Sequence, residues 1–218
     1  MDSGFVPSLI DVNQVSFAVN TTMRGGWPKP RPGWKKAVVN FSGSSGSEGG
    51  RFQGASSFID RQGYSRLVYS MGGRLWSINL SLGNTLEEFT PADGRNSSDL
   101  QHSWFQEAEN MIIVQNNQQR PVIWDGLTTR RSSGTQVPVG GPMAYGKGRL
   151  WVAQDNAYVG GDLVYSQDLG RNSILNFTEN TFLAEGGAFA VPGGGITGMA
   201  FGANLDTSLG DGDLLVYT

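Results

Sequence analysis

Five basic residues, Arg24, Lys29, Arg31, Lys35 and Lys36, fall within 13 positions, with Trp27 and Trp34 interleaved and no acidic residue between them. Cations beside aromatic rings can follow a phosphate backbone while the rings stack on bases. The same residue types also make a protein interface, where tryptophans dock on a neighbour and the cations form a solvated rim. A third reading is that Trp27 and Trp34 pack within their own chain. Rings with a cationic rim are ordinary interface features, so partner binding is preferred, with non-specific contact with DNA and packing within the chain as equal alternatives. The formal net charge of −3 gives the chain as a whole no reason to bind nucleic acid or an anionic membrane.

Other chemistry is thinner. The single histidine, His102, lies beside Ser103, but a catalytic triad needs an orienting carboxylate and a nucleophile on a strained turn, and no Gly-x-Ser-x-Gly elbow exists. Gly141 to Gly148 matches the spacing of a phosphate loop, with Lys147 in place but Gly148 where a magnesium-binding hydroxyl is needed. A strand pattern follows it rather than a helix, so an inter-blade turn supplied by glycines is expected there. Asp206, Asp211 and Asp213 cluster among glycines, which permits calcium, although an Asp-Gly hairpin turn is preferred. Glu87, Glu88, Glu107 and Glu109 read as surface acids rather than a glycosidase pair. The absence of cysteine removes thiolate nucleophiles and cysteine-ligated metals. No catalysis, cofactor or metal is expected.

The elements that must position these residues are strands. Glycine takes 32 of 218 positions, about twice ordinary usage, and charged residues fall to 16%. With six tryptophans to bury, the chain predicts a turn-rich packed fold. Apolar runs bounded by Gly, Asn, Asp and Ser recur at 67–69, 74–78, 111–114, 122–124, 149–153, 163–165, 196–201 and 214–217. Taken as centres of the first strand in each pair, Val68, Ile113, Trp151 and Met199 lie about 40–50 residues apart, the period of propeller blades. Gly73-Arg74-Leu75-Trp76 returns as Gly148-Arg149-Leu150-Trp151. The spacing predicts an all-β, propeller-like array of antiparallel hairpins, with a β-sandwich as the alternative.

Three segments follow from composition. Residues 1–41 read as an extended arm, because Pro28, Pro30 and Pro32 exclude a central strand or helix. Residues 42–50 have Gly/Ser linker composition, and residues 51–218 carry the repeats. The sequence stops within a strand pattern at 213–218, so either the array continues beyond Thr218 or its last strand closes a ring. The acidic start lacks the basic region of a signal peptide, and no run reaches the ~18 apolar residues of a membrane helix.

Asp2-Ser3-Gly4, Pro7 to Ile10, Asn13-Gln14, Asn20 to Gly33, Pro121 to Gly126, Val137 to Trp151, Asn176 to Asn180 and Leu205 to Gly210 together resemble virion structural proteins of tailed bacteriophages. The opening through Arg31-Pro32-Gly33 is also similar to that of nozzle or tail tubular proteins of short-tailed phages. The resemblance implies a propeller-like body and ring assembly around the DNA path. It implies a homo-oligomer that contacts other virion proteins, assembled in the host cytoplasm and meeting no membrane before infection. A carbohydrate-binding or glycan-cleaving propeller for host recognition is the alternative function.

Overall fold

Apolar residues that alternate across a strand need a covering layer on each face, and this chain supplies the layers by folding short strands back on one another. The computed structural model describes residues 50–98, 102–134, 136–154, 187–192, 195–202 and 212–218, Phe177, and the backbone of 21–22, 29–30 and 162–165. The chain divides into two compact units, Met1–Val38 and Val39–Thr218. In the first, β1 (Thr21–Thr22) pairs antiparallel with β2 (Lys29–Pro30), Thr21 opposite Pro30 and Thr22 opposite Lys29. Pro30 has no N–H to donate, and a two-stranded ladder, in which every strand is an edge, can hold it. The proline spacing predicts extended backbone but not this partner.

The second unit is all-β in its described residues. β3 (Phe52–Ile59), β4 (Ser65–Met71), β5 (Arg74–Asn79) and β6 (Thr85–Glu88) form a four-stranded antiparallel meander. A second contains β7 (Trp104–Ala108), β8 (Met111–Gln115), β9 (Val122–Trp124) and β10 (Thr129–Arg131). A third contains β11 (Met143–Gly146), β12 (Arg149–Gln154), β13 (Asp162–Tyr165) and β14 (Gly187–Ala190). β15 (Gly198–Phe201) and β16 (Leu214–Tyr217) form a hairpin. The opening strands adjoin in turn, β3 against β7, β7 against β11 and β11 against β15.

Side-chain alternation explains the stacking. Ile112 and Val114 of β8, with Val122 and Trp124 of β9, meet Phe58, Val68, Leu75 and Phe89 from the first meander. The residues between them, Ile113 and Ile123, turn to the opposite face and meet Val137, Met143, Leu150 and Val152. The middle meander is therefore apolar on both sides. Beyond the third, Phe201 of β15 packs edge-on to Trp151 at 6.5 Å and lies against Gly146, where a Cβ would come within 2.5 Å of its ring. These layers outnumber the two sheets of a sandwich.

Two details of the sequence period need correction. Val68, Ile113 and Trp151 lie on β4, β8 and β12, each the second strand of its meander, whereas Met199 lies on β15, an opening strand. The Gly-Arg-Leu-Trp echo is not a repeat in phase: Arg74 starts the third strand of one meander and Arg149 the second strand of another. What the echo shares is the entry from a tight turn, since Gly72-Gly73 and Lys147-Gly148 each join two strands with positive φ at both positions, +57° and +80°, then +53° and +70°. That is the backbone of a two-residue hairpin whose twist matches its strands.

Candidate functional site

Of the basic and aromatic cluster, Lys29 is described in its backbone alone, within β2. Arg24, Trp27, Arg31, Trp34, Lys35 and Lys36 lie outside the described residues, as do Asp206 and Asp211. Asp213 is described and almost wholly exposed, with Lys147 Nζ 3.9 Å from its Oδ1, a weak surface pair. The phosphate-loop spacing resolves into Met143–Gly146, a turn at Lys147-Gly148, and Arg149–Gln154. This turn lies within one meander, not between repeats as an inter-blade turn would. His102 precedes β7 and sets its ring edge-on to Trp104 at 5.1 Å.

The acidic residues are drawn into the architecture. Arg66 Nη1 donates to Glu87 Oε2 at 2.8 Å, and Arg74 Nη1 donates to Glu88 at 3.2 Å. The Tyr145 hydroxyl donates to Glu109, which caps the β7–β8 turn at a φ of +55°. Glu107 on β7 accepts the backbone N–H of Ile59 on β3, joining two opening strands. Burial raises the Glu107 carboxyl above its ordinary range, and the Ile59 bond offsets only part of that.

The best-organised polar cluster is one that sequence reasoning missed. Asp60, nearly without solvent, accepts from Arg66 Nε at 2.7 Å and from the backbone N–H groups of Gln62 and Tyr64, each at 2.9 Å. The Arg66 guanidinium lies 5.0 Å from the centre of the Trp124 ring, whose aromatic neighbours include Phe89, stacked at 4.2 Å, and Phe58 at 5.6 Å. Gly126, at a φ of +93°, approaches so closely that a Cβ would lie 2.5 Å from that of Asp60. The cluster closes the β3–β4 turn and ties the first meander to the second. Its sequence signal was Asp60-Arg61-Gln62-Gly63, an Asx turn ending in glycine.

Related devices recur. Asn79 accepts from the N–H groups of Ser81 and Leu82, Asn116 from those of Gln118 and Gln119, and Asp125 from those of Leu127 and Thr128. Arg131 bonds Asp93, Gly94, Asn96 and Arg120 at 2.8–3.0 Å, fastening the segment after β6 to β10. These groups hold turns and layers together.

Asp60 and Glu107 pull stability in opposite directions with pH. Burial alone would raise the Asp60 carboxyl, but Arg66 and the two backbone donors outweigh it and hold the group below its ordinary range. Its contribution is therefore present above its unfolded value of about 4 and is lost as pH falls through the lower folded value. Glu107 is raised, so its ionisation costs stability as pH rises through its unfolded and folded values. Glu107→Gln should raise the denaturation midpoint at pH 7 and leave it little changed near pH 3, where the native carboxyl is already protonated. Urea titrations at the two pH values check this, and a lower midpoint at pH 7 would contradict it.

Compared with protein-family models, curated proteins and solved structures, the chain matches none.

Proposed function

We propose that this chain is a non-enzymatic structural component of a tailed-phage particle, with a propeller-type body and an N-terminal arm that binds neighbouring copies in a ring. The observation that carries the reading is the succession of meanders whose opening strands β3, β7, β11 and β15 adjoin in chain order. Adjoining opening strands are what a radial array of blades requires, and such arrays present wide surfaces for partners. The described polar clusters suit a scaffold, since Asp60, Arg66, Asn79, Asn116, Asp125 and Arg131 all spend their hydrogen bonds on turns and layer contacts. The virion assignment rests on the resemblance in the arm and in the Pro121–Gly126 and Val137–Trp151 stretches. On this reading the partners are other copies and other virion proteins, at a tail, nozzle or connector position around the DNA path.

Arg24, Trp27, Lys29, Arg31, Trp34, Lys35 and Lys36 form the proposed interface. Trp27→Ala with Trp34→Ala should abolish the oligomer seen by light scattering while far-ultraviolet circular dichroism stays unchanged. Neutralising Lys35 and Lys36 should leave the oligomer intact. The reverse order, with the lysine changes blocking genome delivery in fully assembled particles, would move the arm to nucleic-acid binding.

A further inference from the structure

Trp104, at the start of β7, forms one wall of a cleft of about 130 Å³ that Asn117, Gly141, Pro142, Ala153, Gln154, Gly195 and Ile196 complete. It opens where the second meander, the third and the approach to β15 meet. Its walls are fixed by backbone bonds, Gly141 N–H to Ala153 O and Ala153 N–H to Pro142 O, both 2.9 Å. Gln115, buried opposite Trp104 on the next strand, holds the adjoining Gly140 N–H at 2.6 Å. The Trp104 ring lies beside the main chain at Gly141, where a Cβ would meet it at 3.4 Å, an ordinary contact. The wall is thus set in place before any ligand arrives.

The chemistry of this cleft is specific in what it combines. None of its described lining residues is ionisable, so those residues supply no counter-charge to an anion or a cation. It does offer an indole beside two carboxamides, Asn117 and Gln154, each able to donate and accept. A ligand that suits this set is neutral, with an apolar face for the indole and hydroxyl groups for the amides. We propose that the cleft binds a single neutral pyranose ring, as the terminal unit of a glycan. Trp104 would cover the apolar face of the sugar, and Asn117 and Gln154 would bond its hydroxyls. The volume is well under the roughly 300 Å³ at which drug-sized pockets begin, which fits one ring and not a longer chain segment. This site is independent of ring assembly and holds whether or not the arm joins copies together.

The test uses the full 218-residue chain and three neutral probes, the methyl glycosides of glucose, galactose and N-acetylglucosamine, with glucuronate as a charged comparison. Binding is read from the Trp104 indole and the side-chain amide signals in nitrogen-15 NMR spectra. At least one neutral glycoside should shift the Trp104 signal saturably in the millimolar range, with glucuronate weaker than the matching neutral sugar. Trp104 also packs against the core, so two other variants test the proposal without disturbing it. Asn117 sits at a φ of +60°, which glycine adopts freely, so Asn117→Gly removes the amide and keeps the turn. Asn117→Gly and Gln154→Ala should each weaken binding about three- to tenfold, the loss of one hydrogen bond. The proposal is overturned if no neutral glycoside moves the Trp104 signal, or if both variants bind as the unaltered chain does.

Discussion

Arg66→Met should lower folding stability by about 3–5 kcal/mol, because it strands the Asp60 carboxylate in a site with almost no solvent. The Arg66 side chain is 7% exposed and that of Asp60 1%, whereas Glu87, the other partner of Arg66, is 49% exposed. Glu87→Gln should therefore cost no more than about 1 kcal/mol, since water already screens that bond. Methionine retains apolar bulk over Trp124 but leaves Asp60 with only its two backbone donors. Adding Asp60→Asn should restore part of the loss, because an amide costs less to bury than an unpaired charge. Urea denaturation of the four chains measures all of this. Equal costs for the Arg66 and Glu87 changes would mean that the buried pair does not organise the β3–β4 turn.

Gly73→Ala should cost about 3 kcal/mol and Gly83→Ala only about 1–2 kcal/mol, although both glycines have positive φ, +80° and +66°. The difference is the surroundings. A Cβ at Gly73 would lie 2.0 Å from the Asn96 carbonyl oxygen, and the Asn96 N–H is itself bonded to Gly73 O at 2.8 Å. Gln53 Oε1 also accepts the Gly73 N–H at 2.7 Å, so the turn cannot move away without breaking buried bonds. At Gly83 nothing lies within 4 Å of the same atom, leaving backbone strain as the only cost. Thermal unfolding of both variants separates the contributions, and similar midpoints would contradict the close approach.

The sequence was most legible in the inner strands of each meander. Val68, Leu75, Ile113, Ile123, Leu150 and Val152 stand in apolar runs, because layers cover both sides of β8, β9 and β12, while on β4 and β5 a second apolar set, Tyr69, Trp76 and Ile78, packs together within its own meander. The outer strands escaped notice for the same physical reason. β6 is Thr-Leu-Glu-Glu and β10 is Thr-Arg-Arg, with one edge and much of their surface in solvent, so little in them departs from loop composition. β3 was hidden differently, its Gln53, Gly54 and Ser56-Ser57 leaving no apolar run to mark a strand, whereas Gln53 is buried and bonds Ser70, Gly73 and Ser97. An amide satisfied by groups as many as 44 positions away leaves no local pattern.

The candidate sites divide in the same way. The Lys147-Gly148 turn was readable because a missing hydroxyl and a following strand pattern both argued against phosphate, and only its place within a meander differed. The Asp60–Arg66 pair was not readable, since carboxylate and guanidinium are ordinary surface groups until Trp124, more than 50 positions later, covers them. The Trp104 cleft draws on residues from 104 to 196, a constellation that only the stacking of layers assembles.

Native mass spectrometry of the full 218-residue chain across a range of protein concentrations and at physiological ionic strength tests the central claim most directly. The account predicts one closed oligomer of fixed copy number, retained on dilution and seen as a ring in electron micrographs. A monomer at every concentration, or an open ladder of masses without a preferred size, would contradict it.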